Sequence, residues 1–432
     1  MTKTVYLFTI LILISGCSFN KNSKFWTSSK EIKIEKNYER IFDTEEKLNK
    51  EFNPNLKIRL NSKPQNSSFL KNQLNNYGRL NFDGNLKKIS RYKFSKIKNF
   101  DEYEPAISFH KKNLIFFDNK GTILQFDENS KLVWKKNYYS KNEKKQNPIL
   151  QFAQNNKFLI VADNIAKYYL LDLNSGNLVW TKNNLAPFNS QIKLSKDKFF
   201  IVDLSNTIRC FSIKDGKELW NIRTENSLIR SKKKLSIVIK NDVVYFNNSL
   251  GDITAVNIPK KEFLWQLPTQ STLIYESAFS LETSDIVADD SSLFFSNNNN
   301  QFFAIDTNSG SFNWKSKINS SLRSTIIDNL LFTITLKGYL VVTDKLTGNI
   351  VRITDIFKNI KPKKRDKIKP TGFVVGTNNI YLSTSKGRLL VINLESGSTI
   401  STLKIDNEKI LQPSIIDKNL FVIKDNSIIK LN

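Results

Sequence analysis

The chain has 432 residues, 40% of them apolar and 12% aromatic, with 66 Lys and Arg against 40 Asp and Glu for a formal charge of +26. That length and apolar content suffice to bury a large core and exclude a wholly disordered chain. Two cysteines and a single histidine exclude a disulfide-stapled scaffold, a Cys/His zinc module and a c-type haem site. The positive charge is spread through a sequence rich in Lys, Asn and Ile, which reads as composition bias rather than a nucleic-acid patch.

At the N-terminus, Lys3 supplies a positive charge and Val5 to Ile14 forms an apolar run. The run is about half of what a bilayer-spanning helix needs, so residues 1–16 read as an export signal. The stretch Leu13-Ile14-Ser15-Gly16-Cys17 resembles a bacterial lipobox, which implies cleavage before Cys17 and lipidation of its thiol. Acyl chains there hold the chain to a membrane. Ser18 after the cysteine resembles the enteric sorting pattern that directs lipoproteins to the outer membrane.

Residues 17–83 change character, with many Lys, Asn, Ser and Glu and few apolar clusters. Thr44 to Phe52 predicts one short helix capped by Thr44, and Asn55 to Leu60 alternates like a short strand. The remainder reads as an irregular tether, which if flexible spans roughly 40–45 Å.

From residue 84 onward one phrase recurs. It reads Asp172-Leu-Asn-Ser-Gly176 followed by Trp180, then Phe211 to Trp220 around Gly216, then Ile305 to Trp314 around Gly310. Weaker copies end at Trp134 and Trp265, and two later copies keep Gly348 and Gly397 but carry Arg352 and Ser401 in place of the ring. The seven copies are 38 to 49 residues apart. A turn glycine followed at fixed offset by an aromatic places the ring on one face of a returning strand. Each unit also has an apolar strand before the phrase, such as Phe158 to Val161 or Val243 to Phe246, and there are eight of these, the last being Leu420 to Ile423. This periodicity predicts an all-β chain: an eight-bladed β-propeller of four-stranded antiparallel blades over residues 84–432. The last unit, from Pro413 to Asn432, has room for three strands, so its fourth is expected from Asn85 to Phe94. Seven blades is the alternative if the last piece pairs differently.

Lipobox, tether and eight repeats together resemble the BamB family of propeller lipoproteins, which serves outer-membrane protein assembly. The resemblance implies a non-enzymatic scaffold on the periplasmic face of the outer membrane, with no cofactor. Its implied partners are the periplasmic domains of a BamA-like subunit and unfolded outer-membrane proteins awaiting insertion; nucleic acid is not among them. The family's contact stretch of the type Leu-Ser-Leu-Arg corresponds to Ser227-Leu228-Ile229-Arg230, where Ser227 replaces the first Leu. A nearby acidic stretch of the type Asp-Val-Asp-Thr-Thr corresponds to Ser280-Leu281-Glu282-Thr283-Ser284, where Glu282 keeps the second acid. The partner-binding residues so implied are Leu228, Ile229, Arg230 and Glu282.

The phrase's polar and aromatic residues read as turn locks and wedges between blades, not as catalysts. The alternative is a periplasmic quinoprotein dehydrogenase using pyrroloquinoline quinone, which shares the blades but needs calcium ligands in the central funnel. A propeller binding cell-wall or surface glycans is a third class. The sequence offers no clustered metal ligands, and His110 and Cys210 read as packed residues. Lys358 to Pro370 is a basic insertion that reads as a solvated loop, able to touch anionic lipid if it faces a membrane.

Overall fold

A strand sandwiched between two neighbours is buried on both faces and reads as an unbroken apolar run. The second strands of the units behave this way: Asn113–Phe117, Phe158–Asp163 and Lys198–Val202 are buried beyond their first residue. The fourth strands, such as Leu178–Asn183 and Phe312–Ser316, alternate between half-buried and exposed, as edges do. The computed structural model describes residues 48, 50–66, 73–98, 100, 103–224, 233–270 and 281–432.

The described strands form eight four-stranded antiparallel sheets. Seven are built from consecutive strands spanning 108–136, 150–183, 193–223, 237–267, 287–316, 325–355 and 370–404. The eighth pairs Ser414–Ile416, Asn419–Lys424 and Ser427–Leu431 with the N-terminal strand Lys88–Lys93. Eight blades closed by an N-terminal strand is the expected architecture, and Lys88–Lys93 lies inside the stretch expected to supply it. Tyr92 on this strand is buried and packs against Phe421 of the eighth blade and Phe126 of the first, with ring centroids 6.3 and 5.7 Å apart. Closure therefore joins both hydrogen bonds and core across the seam.

Among the described residues the core is divided into several clusters. Apolar clusters lie between adjacent blades; one joins Phe200, Cys210 and Trp220 of the third to Ile237, Val244 and Val256 of the fourth. Burial pushes the Cys210 thiol up to about 12, so it packs as an inert residue.

Each fourth strand carries a bulge at one place. Trp180 pairs with Leu170 and Leu178 with Leu171, leaving Val179 unpaired. The same offset leaves Val133, Leu219, Leu264, Asn313, Val351 and Ile400 unpaired. The closing strand repeats it at Ile89, although it comes from the other end of the chain. A bulge twists an open edge and breaks its regular ladder, which disfavours edge-to-edge association.

The described parts of the segment expected to be a tether are irregular, yet they lie against the propeller. Leu48 is helical, as expected for its region, but Phe52 makes an antiparallel bridge with Ile353 on the edge of the sixth blade. The strand expected over Asn55 to Leu60 does not form: Asn55 lies in a turn, residues 56–60 pair with no strand, and Ile58 is buried where its N–H donates to Glu395 O. The basic insertion contains a single helical turn, Pro362–Arg365, in which Arg365 pairs with Asp355 at 2.7 Å. Its lysines 361, 363, 364, 367 and 369 are exposed.

Candidate functional site

In each blade the first strand faces the axis, and strand alternation sorts the connections onto two faces. The links from one blade to the next share a face with the turns between second and third strands. Hydrogen bonds show this: Leu204 N–H donates to Pro187 O, and Asn298 N–H donates to Glu282 O. Turns between first and second strands, and the glycine turns, lie on the opposite face.

Glu282 is exposed on the connector face, its N–H donating to Asn298 Oδ1 at 2.9 Å. Ser321 Oγ donates to its carboxylate at 3.3 Å, and Lys233 Nζ donates to Ser321 O. Lys233 lies three residues past Arg230. Leu228, Ile229 and Arg230, like Cys17, lie outside the described residues. Leu281, beside Glu282, is buried.

Sequence reasoning missed the hub. A cavity of about 200 Å³ occupies the axis, lined by Glu104, Lys193, Lys234, Asp285, Arg323 and Gln412 among others. Each charged residue sits just before or within a short first strand, at an offset that shifts between blades, so no repeat marks it. Arg323 Nε lies 3.7 Å from Asp285 Oδ2, Arg323 Nη2 donates to Gln412 Oε1 at 2.8 Å, and Lys234 Nζ donates to Glu104 O at 2.9 Å. Burial opposes ionisation of Asp285, yet Arg323 and the nearby lysines hold its carboxyl below the usual range. Burial, reinforced by Arg323, pushes the Lys193 ammonium down to about 7.

The cavity has a floor made by the chain's own N-terminal segment, which crosses the axis on the glycine-turn face. Gln73 O accepts from Ile239 N–H, Leu74 O from Ala288 N–H, and Val375 O from Leu80 N–H. Asn75 is buried, with its amide nitrogen 2.9–3.1 Å from Gln191 Oε1, Ser236 Oγ, Ile237 O and Ile286 O. Lys193 Nζ donates to Asn75 Oδ1 at 2.6 Å.

The Trp and Asp positions behave as locks. Trp180, Trp265 and Trp314 donate from Nε1 to Ile213, Thr307 and Lys345 carbonyls in the next blade's glycine turn, at 2.9–3.2 Å. Asp172 and Asp306 Oδ1 accept backbone N–H groups two and three residues on, as turn-forming side chains do. His110 reaches Asn174 Oδ1 at 3.2 Å.

The fold raises the question of a quinone cofactor with calcium in the hub. Calcium calls for six to eight oxygen ligands, usually with several carboxylates. The hub offers two carboxylates, Glu104 and Asp285, each facing a cation. Among the described residues no group of three or more His, Cys, Asp or Glu is placed to hold a metal ion. The residues do not fit that pair.

Comparison with known proteins agrees with the architecture. In solved structures the chain is similar to BamB from Moraxella catarrhalis, with a TM-score of 0.64 and 16% identity over 79% of this chain and 100% of that one. It is also similar in fold to quinohemoprotein alcohol dehydrogenase from Comamonas testosteroni, at TM-score 0.62 and 10% identity over 82% and 78% of the two chains. An uncharacterised protein of Rickettsia conorii is 21% identical over 342 residues, 76% of this chain and 78% of that one. The sequence profile described as "Outer membrane protein assembly factor BamB" matches residues 119–354, more than half of the chain. With that match, the chain belongs to the BamB family of outer membrane protein assembly factors.

Proposed function

We propose that this chain is a non-enzymatic scaffold lipoprotein of the outer-membrane β-barrel assembly complex. Residues 1–16 are its leader, and Cys17 carries the lipid that holds it to the periplasmic face of the outer membrane. Through Leu228, Ile229, Arg230 and Glu282 it binds the periplasmic domains of a BamA-like subunit and aids insertion of outer-membrane proteins. The observation that carries this reading is the family match over residues 119–354. The contact between Lys233 and Ser321, and between Ser321 and Glu282, supports a common rim for the two connectors. An apolar side chain beside an Arg and an acid suits the centre of a small interface. The likeness to the dehydrogenase is one of fold, at 10% identity. Co-purification of the BamA-like subunit tests the reading: the double change Ile229→Asp with Arg230→Glu abolishes capture. Undiminished capture by the folded double variant removes the assigned interface, and no capture by the native chain removes the scaffold role.

A further inference from the structure

The hub gathers four cationic side chains, Lys193, Lys233, Lys234 and Arg323, against two carboxylates, Glu104 and Asp285. With these side chains half-buried around one cavity, surplus charge of one sign is unfavourable until a counter-charge enters. Arg323 has the geometry to receive one. Its guanidinium lies 4.0 Å over the Tyr77 ring, which fixes its plane, and its Nε is buried without a hydrogen-bond partner. Asp285 Oδ2, at 3.7 Å, attracts that group without hydrogen-bonding it. A planar fork with an unused donor matches an oxyanion. The cavity volume of about 200 Å³ accommodates a small one, and Asn75 and Tyr77 close it on the glycine-turn face.

We propose that the hub binds one compact, doubly charged oxyanion, a phosphate or a small dicarboxylate, held by Arg323 and Lys234 with Lys193 on the cavity wall. This site is independent of the connector rim and does not rest on the scaffold reading. Lys193, depressed by burial to about 7, takes up a proton as the anion enters, so binding heats at pH 7.5 depend on the buffer's ionisation enthalpy.

Titration calorimetry on the full chain, at ionic strength held constant with chloride, tests the site with inorganic phosphate and with succinate. One-to-one saturable binding of either supports it, and the tighter of the two identifies the ligand chemistry. Arg323→Met and Lys234→Met each weaken binding at least tenfold, and Asp285→Asn, which removes a competing carboxylate, tightens it. Absence of saturable binding by both anions overturns the proposal, as does native affinity in both methionine variants. Should those variants not fold, native or weaker affinity in Asp285→Asn overturns it. Capture of the BamA-like subunit is measured separately, so failure of one reading leaves the other standing.

Discussion

Gly216 packs against the six-membered ring of Trp180 from the preceding blade, so closely that a Cβ built on it comes within 2.7 Å of the ring. The relationship recurs between Gly176 and Trp134, Gly310 and Trp265, and Gly348 and Trp314. The repeat phrase therefore encodes a joint between blades: these four indoles each seat on the next blade's turn glycine, and three of them donate to that turn's carbonyl, while Trp220 faces a turn carrying Lys261 in place of the glycine.

Gly216→Ala tests this joint. The position has a φ of +66°, which disfavours any side chain, and the neighbour is a rigid ring rather than a flexible tip. Left-handed backbone and overpacking each cost about 1–3 kcal/mol, so the variant is expected to lose roughly 2–4 kcal/mol in urea unfolding. Full stability would show that the ring is not seated on the turn.

Arg352 takes the place of the indole in the sixth blade. It is fully buried, lies over Gly397, and its Nη2 reaches Leu394 O, the carbonyl equivalent to those bonded by the tryptophans. Burial pushes its guanidinium down to about 10. The longer side chain also donates to Leu56 O at 2.9 Å, anchoring the N-terminal segment. Arg352→Ala is expected to cost about 2–4 kcal/mol, since it opens a cavity and leaves buried carbonyls unsatisfied. It also releases residues 51–60, read as new early cleavage there in limited proteolysis. Unchanged digestion would show that Arg352 does not anchor this segment.

The blades were legible because each repeats one turn-and-ring phrase, and closure by Lys88–Lys93 followed from a strand deficit at the C-terminus. Arg352 was readable as a lost ring but not as its replacement, since a guanidinium matches an indole only in where its donors point. The hub and its floor were illegible for a different reason. Gln73 to Leu80 has a linker's composition, and its bonds to the propeller come from isolated polar side chains, Asn75 above all, and from backbone atoms, at no spacing that a sequence pattern reports. Residues 227–230 lie outside the described residues, and Glu282 is exposed on the connector face.

Asn75 is the pivot of that floor. Replacing its amide by Asn75→Leu removes donors shared among four acceptors at the starts of the inner strands of three blades and the acceptor for Lys193. Stranding buried polar groups costs about 1–3 kcal/mol each, so a loss of roughly 2–4 kcal/mol is expected. Hydrogen exchange locates the effect: the N–H groups of Ile239 and Ala288, bonded to Gln73 and Leu74, lose protection before those of the second strands. Uniform loss across the blades would show that the segment is not a separate latch.

Lys193 gives the fold a pH dependence with a defined sign. Its ammonium loses its proton at about pH 7 in the folded chain, whereas an unfolded lysine keeps it to roughly 10.4. Between those values the unfolded state binds more protons, so this residue makes stability rise with pH across the window. Below pH 7 both states are charged and the full burial penalty is present, with Arg323 and Lys234 repelling the ammonium and Asp285 attracting it. Lys193→Met removes the titration together with the pH-independent bond to Asn75. Relative to the native chain, the variant is therefore expected to be more stable at pH 6 than at pH 9.5, by on the order of 2–4 kcal/mol. Parallel urea midpoints at the two pH values measure the difference, and a difference of zero would mean that Lys193 keeps an ordinary ammonium in the hub.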